Sequence, residues 1–162
     1  HYTLNFINTI LNNPYLCNEK YYIIIGSMNE DEESIRKLTQ DYSNFILLKN
    51  ISNMGDYMYS SKYAFSAGGN TVYELLCCHV PISCIVLADD QVALGERLAS
   101  FNYLSYEGDC RTNINNVIQN SESTLVSFLQ DGLNPNIYEA ISSFTDGMGA
   151  VRIAENIINL IK

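Results

Sequence analysis

The stretch with the clearest chemical potential runs from Tyr63 to Gln91. A short apolar run at residues 63–66 leads into Ala67-Gly68-Gly69-Asn70, and a helical pattern follows over residues 71–79. The two glycines allow a tight turn, and Asn70 is a residue type that caps helices through its side-chain oxygen. A strand that enters a helix through such a turn presents unpaired amides and the positive end of the helix dipole. The stretch therefore predicts an anion-binding turn.

The elements that must position this turn alternate along the chain. Short apolar runs predict strands at residues 21–25, 45–48, 63–66, 82–87 and 103–106. Periodic patterns predict helices at residues 3–11, 31–42, 53–61, 71–79, 92–101 and 150–161, and one or two helices over residues 112–130 with a possible break at 121–123. This alternation is typical of a parallel sheet covered by helices on both faces. We predict a single α/β domain over residues 1–162, Rossmann-like and three-layered, with a parallel sheet of about five strands.

Ligands of such sheets bind at the carboxyl ends of the strands, where the strand order reverses. Four loops follow predicted strands, at residues 26–28, 51–54, 67–70 and 88–91. We expect all four loops to lie along one edge of the sheet, so that they can contribute to one site.

The composition limits the classes of partner. Hydrophobic residues make up 47% of the chain, enough for a core, and 162 residues suit one domain. No apolar run approaches the roughly 20 residues of a membrane helix, so we expect no membrane span. A net charge of −9 argues against nucleic-acid binding, which depends on Lys and Arg. An anionic small ligand would be held by backbone amides rather than by a basic patch.

The cysteines predict neither a disulfide framework nor a metal site. They lie at positions 17, 77, 78, 84 and 110, without a C-x-x-C pair, and their number is odd. Free thiols in a reducing compartment explain this pattern better than disulfides or zinc. The absence of G-x-G-x-x-G after a first strand disfavours a dehydrogenase. We predict no metal, no cofactor and a cytoplasmic location.

The central stretch resembles a known group of enzymes. Its motifs are Ser66-Ala67-Gly68-Gly69-Asn70-Thr71-Val72-Tyr73-Glu74, then His79-Val80-Pro81, then Leu87-Ala88-Asp89-Asp90-Gln91. They resemble the S-A-G-x-T-x-x-E, G-V-P and L-A-D-N-Q segments of the UDP-sugar hydrolase of pseudaminic acid biosynthesis and of related spore-coat polysaccharide proteins. Residues 50–54 and 146–152 resemble the V-x-x-M and D-G-x-G-A-x-R segments of the same group. The similarity covers about residues 20–162.

The resemblance implies a fold and a function. In that group the matching region is the C-terminal, nucleotide-binding half of a GT-B fold, of the glycosyltransferase family 28 type. It implies that this chain binds UDP or a UDP-sugar. In the whole hydrolase, water attacks the anomeric carbon and UDP leaves. The base that activates water belongs to the N-terminal half, so we assign no catalytic residue here and expect this domain alone to bind without turnover.

The chain departs from the group's pattern in three places. His79 stands where glycine is usual, and Asp90 where asparagine is usual. The group also opens this half with a strand and a glycine-rich F-G-G-S-D loop, and nothing similar precedes Thr3. The resemblance therefore implies that the chain is a piece of a longer protein that supplies the first strand, this loop and the N-terminal half. A sheet edge exposed in this way could pair with a second copy of the chain.

The resemblance also assigns roles to eight residues. Gly68, Gly69, Asn70 and Thr71 would present amides and a hydroxyl to a diphosphate, Glu74 would accept hydrogen bonds from a ribose diol, Met54 would border the uracil ring, and Asp89 and Gln91 would face the sugar. Each role has a plainer structural reading. For Gly68, Gly69, Asn70 and Thr71 the plainer reading is a tight turn, and for Glu74 it is a surface glutamate favoured by the helix dipole. For Met54 it is a core methionine, and for Asp89 and Gln91 a solvated loop.

Two other functions fit the same residues. The donor-binding half of a family 28 glycosyltransferase would use the same motifs, with an acceptor hydroxyl in place of water. A non-catalytic Rossmann-like module would keep the fold and serve for docking or regulation. UDP binding separates this module from the two enzymes, whereas the choice of acceptor belongs to the other half of the protein.

Overall fold

The computed structural model describes residues 2–26, 29–146 and 148–161. The elements in chain order are α1 (Tyr2–Asn12), β1 (Tyr21–Ile25), α2 (Glu32–Thr39), β2 (Phe45–Lys49), α3 (Met54–Ser60), β3 (Ala64–Ala67), α4 (Asn70–Cys77), β4 (Ile82–Val86), α5 (Asp89–Ser100), β5 (Ser105–Asp109), α6 (Cys110–Asp131), α7 (Pro135–Ser142) and α8 (Gly149–Ile161). Strands and helices alternate as far as α6, and only helices follow.

The strands form two parallel sheets. β1 pairs with β2, from Tyr21 opposite Phe45 to Ile25 opposite Lys49. β4 lies between β3 and β5 in the second sheet. The predicted α/β class with parallel strands is confirmed. The predicted single sheet of about five strands is wrong, because within the described ranges no strand pairing joins the two sheets.

The handedness of the connections shows where the sheet is interrupted. α2, which joins β1 to β2, contributes Ile35 to one core, whereas α3, which joins β2 to β3, contributes Met58 to another. Crossovers between parallel strands are right-handed, so helices on opposite faces carry the chain in opposite directions across the sheet. Applied to both sheets together, this rule predicts that β3 lies on the side of β1 away from β2, with the interruption between β1 and β3.

The two sheets nevertheless share one hydrophobic core. Ile23 and Ile25 of β1 belong to the same core as residues of α1, α2 and α6. Phe65 of β3 packs against this core, and its ring centroid lies 4.6 Å from that of Phe6 in α1. α1 therefore packs across the interruption and connects the two sheets through side chains.

β4 lies at the centre of the molecule, and all five of its residues are buried. Ile85 belongs to the core shared with α1, α2 and α6, while Ile82 and Cys84 belong to the core formed with α4, α5 and α7. A strand buried on both faces requires a continuous apolar run, which explains the sequence of this strand. Helices thus cover both faces of the three-stranded sheet.

In the part of the chain that the structure describes, no helix is both long enough and apolar enough to cross a membrane.

Candidate functional site

Gly68 and Gly69 connect β3 to α4, and their amides are already engaged. The amide of Gly68 donates to the carbonyl of Ile85 at 3.0 Å, extending the pairing with β4, and that of Gly69 donates to the carbonyl of Ala67 at 2.7 Å. Gly69 is the N-cap of α4, without a side-chain cap. The cap predicted at Asn70 is therefore wrong, because Asn70 is already the first helical residue.

Gly68 is a glycine because of a close approach rather than an unusual turn. Its φ is not positive. A Cβ at this position would lie 3.1 Å from the carbonyl oxygen of Gln91 and 3.2 Å from its Cβ. The missing side chain lets the start of α5 lie directly against the turn after β3. Two segments that are separated in sequence are thus brought into contact at the predicted site.

The first turn of α4 carries the groups that a ligand could use. The first amides of a helix have no acceptor within the helix. Among the described residues, the backbone amides of Asn70 and Thr71 donate no hydrogen bond. Glu74 lies four residues after Asn70, on the same face of the helix. Its side chain is exposed, and its carboxylate makes no hydrogen bond or ion pair with the described part of the chain. α4 therefore offers two amide donors and, one turn later, a carboxylate acceptor.

α5 begins earlier than the sequence predicts. Its first residue is Asp89, so residues 89–91 are helical rather than a loop. The side-chain oxygen of Gln91 accepts a hydrogen bond from the amide of Leu87 at 2.9 Å. This bond fixes the Gln91 side chain against the end of β4 and leaves its NH2 group as the donor for a ligand.

Arg111 is a residue that the sequence analysis did not single out. Its guanidinium donates to both carboxylate oxygens of Asp109, at 2.9 and 2.6 Å, and also contacts Asp89. These donated hydrogen bonds lower the pKa of the Asp109 carboxyl. Arg111 thereby links α6 to the start of α5. It lies two residues after the end of β5, whereas the sequence predicts that this strand ends at residue 106, so the strand-end rule would have reached Arg111 only with the observed end of the strand.

Met54 is the first residue of α3 and is half-buried. It packs against the core that contains Met58 and Val72, so it lies on the α4 side of the molecule. This packing is what the plainer reading of a core methionine requires. Of the first predicted loop, residues 26–28, the structure describes only Gly26, because Ser27 and Met28 lie outside the described residues.

Most of the predicted site lies at one edge of the molecule. β3, β4 and β5 are parallel, so the segments that follow them share the carboxyl edge of their sheet. This edge holds Gly68, Gly69, Asn70, Thr71 and Glu74 after β3, Asp89 and Gln91 after β4, and Arg111 after β5. Direct contacts are shown for Gly68 with Gln91 and for Asp89 with Arg111. Met54 is linked to this group only through the core beneath α3 and α4.

The described side chains that could ligate a metal do not indicate a metal centre. In the described ranges, no three His, Cys, Asp or Glu side chains are grouped so that they could hold an ion. Comparisons with known proteins found no matching family model, curated protein or solved structure.

Proposed function

We propose that this chain binds UDP or a UDP-sugar, as the nucleotide-binding half of a UDP-sugar hydrolase of surface-polysaccharide or pseudaminic acid biosynthesis. The domain is then the Rossmann-like, C-terminal half of a GT-B enzyme, and the base that activates water lies in the other half. The donor-binding half of a family 28 glycosyltransferase is the alternative, because it would bind UDP with the same residues.

The arrangement on α4 carries this proposal. The free amides of Asn70 and Thr71 and the positive end of the helix dipole suit the oxygens of a diphosphate. Glu74 stands four residues further along, a rise of about 6 Å. A nucleoside diphosphate joins an anion to a diol, and its diol would lie near this carboxylate when its phosphates lie on the amides. One helix thus carries groups suited to both the diphosphate and the ribose diol of the ligand.

The start of α5 supplies the groups for a sugar. The side-chain NH2 of Gln91 is available beside the glycine turn, and Asp89 lies within one turn of the same helix. Arg111 pairs with both Asp89 and Asp109, so it offsets part of their charge and reduces the repulsion that these carboxylates would exert on a diphosphate. Hydroxyl groups of a sugar can bond to both an amide and a carboxylate.

The interrupted sheet also supports the resemblance. The group's nucleotide-binding half opens with a strand, which would precede α1. α1 packs on the same core as α2, so a right-handed crossover through α1 would put that strand beside β1, on the side away from β2. Its expected position is then between β1 and β3, where no strand pairing joins the two sheets of the described residues.

Calorimetric titration tests the proposal with two ligands and three proteins. We expect the chain to bind UDP more tightly than the 2′-deoxy analogue, which lacks one hydroxyl of the diol. Glu74→Gln should weaken UDP binding about tenfold or more, because a hydrogen bond to a charged group contributes roughly 1.5–3 kcal/mol. The variant should also lose the preference for UDP over the deoxy analogue.

The matched control is Glu19→Gln, which removes one exposed carboxylate just before β1, at the opposite end of the strands. It should bind UDP as the parent does. A folded parent that binds no UDP contradicts the proposal and favours the interaction module. Binding that Glu74→Gln leaves unchanged contradicts the role of Glu74 alone.

A further inference from the structure

The strand β5 contains a β-bulge where it pairs with β4. Cys84 of β4 lies opposite Tyr106. The next residue of β4, Ile85, lies opposite Gly108, so Glu107 is an extra residue on β5. Gly108 has a φ of +123°, a conformation that favours glycine. A bulge shifts the alternation of side chains by one position, and the side chains that follow it turn to the other face of the sheet.

The bulge turns Asp109 towards the side of α5. The carboxylate of Glu107 accepts a hydrogen bond from α6, and a Cβ on Gly108 would lie 3.2 Å from a side chain of the same helix. Two successive residues of β5 therefore face α6. Asp109 lies opposite Val86, which follows the α6-facing Ile85 and so points to the face covered by α4 and α5. Without the extra residue, position 109 would face α6 instead.

The orientation of Asp109 fixes the side chain of Arg111. The two carboxylate oxygens of Asp109 accept from Nε and Nη2 of Arg111 at 2.9 and 2.6 Å. Asp109 also accepts from the backbone amide of Arg111 at 2.9 Å, as the N-cap of α6. A two-pronged pair of this kind has a defined geometry, unlike most ion pairs at a surface. Arg111 therefore presents Nη1 to Asp89, the first residue of α5, from a fixed position.

We infer that Arg111 is a positioning residue, which holds the start of α5 so that Asp89 and Gln91 face a sugar together. This role rests on the proposed function, in which these two side chains bind the sugar. The first turn of α5 follows β4 and is contacted from both neighbouring strand ends. Gln91 packs on Gly68 after β3, and Asp89 contacts Arg111 after β5. The bulge in β5 provides the second of these contacts.

Hydrogen exchange followed by NMR, without a ligand, tests the positioning. The amide of Leu87 reports on the start of α5, because it donates to the side chain of Gln91. We expect this amide to exchange about threefold faster or more in Arg111→Gln, since loss of the contact favours local opening. Arg111→Lys should have the same effect, because lysine keeps the charge and lacks the planar fork. The control is Arg97→Gln, at an exposed arginine in the last turn of α5, which should leave the exchange unchanged.

Calorimetric titration of the same four proteins with UDP, UDP-glucose and UDP-N-acetylglucosamine tests the role in binding. The parent should bind at least one of the two sugar nucleotides more tightly than UDP. Arg111→Gln and Arg111→Lys should lose this preference and bind UDP itself as the parent does. Arg97→Gln should retain the preference.

Four outcomes overturn the inference. They are unchanged exchange of the Leu87 amide in Arg111→Gln, a parent that binds UDP without any preference for the sugar nucleotides, an equal loss of affinity for UDP and the sugar nucleotides in Arg111→Gln, and a preference that Arg111→Lys retains. The last outcome would mean that Arg111 only compensates charge. A folded parent that binds no UDP overturns the proposed function, and with it the role of Arg111 in binding.

Discussion

Gly68 shows how the absence of one side chain shapes the candidate site. The start of α5 lies against its backbone, with the carbonyl oxygen of Gln91 where a Cβ would need room. Gly69, its neighbour, has no atom within 4 Å of a built Cβ and an extended backbone that any residue adopts. Two adjacent glycines therefore have different physical reasons to be glycine.

This difference predicts unequal effects on stability. We expect Gly68→Ala to destabilise the fold by about 1–3 kcal/mol, because α5 or β3 must shift to make room. Gly69→Ala serves as the matched control and should change stability by less than about 1 kcal/mol. Urea unfolding of both variants checks the prediction, and equal losses would show that the contact with Gln91 is not the cause.

Glu107 is a buried carboxyl that no predicted role explains. It is only 4% exposed, in the strand β5. One oxygen accepts a hydrogen bond from the hydroxyl of Ser83 at 2.5 Å, and the other accepts from Thr124 at 3.2 Å. Burial raises the pKa of Glu107 above its ordinary value of 4.5, against the opposing effect of these two hydrogen bonds. The protonated form is therefore favoured by folding.

The raised pKa predicts a pH-dependent stability. A group with a raised folded pKa contributes stability that is fully present below its unfolded pKa and is lost as the pH rises through the folded pKa. The parent should therefore lose stability, relative to Glu107→Gln, as the pH rises above about 4.5. Urea unfolding at several pH values checks this, with Glu19→Gln as an exposed control. A constant difference between parent and Glu107→Gln across this range would contradict it.

At the scale of elements, β1 pairs with β2 on one side, and no second strand of the described ranges pairs with it. The amide of Tyr21 donates to the carbonyl of Asn44, before β2. Alternate amides of a parallel strand point to opposite sides, so those of Ile23 and Ile25 also point to β2, while those of Tyr22 and Ile24 point towards the interruption. On β3, the amide of Ala64 donates to Pro81, so that of Phe65 points away from β4.

Hydrogen exchange followed by NMR can detect this alternation. We expect the amides of Tyr22, Ile24 and Phe65 to exchange at least tenfold faster than those of Ile23 and Ile25, because hydrogen-bonded amides exchange only after local opening. The paired residues of the same strand are an internal control for solvent access. Equal protection of all β1 amides would mean that another strand pairs with β1 in solution.

At the scale of the whole molecule, charge restricts the ligands that the site can accept. The chain carries a net charge of −9, which repels polyanions. At the carboxyl edge of the three-stranded sheet, Arg111 is engaged by Asp109 and Asp89. The proposed diphosphate ligand would rely instead on backbone amides and a helix dipole, which act over short distances. The UDP titration therefore tests whether amides and a helix dipole are enough to hold a diphosphate on an acidic domain.

Much of the fold could be predicted from local pattern. The continuous apolar run at Ile82–Val86 identifies a parallel strand that is buried on both faces. The similar run at Tyr21–Ile25 identifies a parallel strand of which only Ile23 and Ile25 are buried. The turn at Gly68 identified the edge where the candidate site lies. The start of α5 was missed because Asp89 and Asp90 look like loop residues, although acidic residues in a first helical turn interact favourably with the dipole.

The sequence by itself determined the alternation of strands and helices, their parallel sense and the side of the sheet where polar loops gather, because each depends on local periodicity and on handed connections. The tertiary structure decided the division into two sheets, the contact of Gly68 with Gln91, the bridge from Arg111 to Asp89 and the burial of Glu107. These features join residues far apart in the chain. No local pattern encodes them, since they arise only when packing brings the elements together.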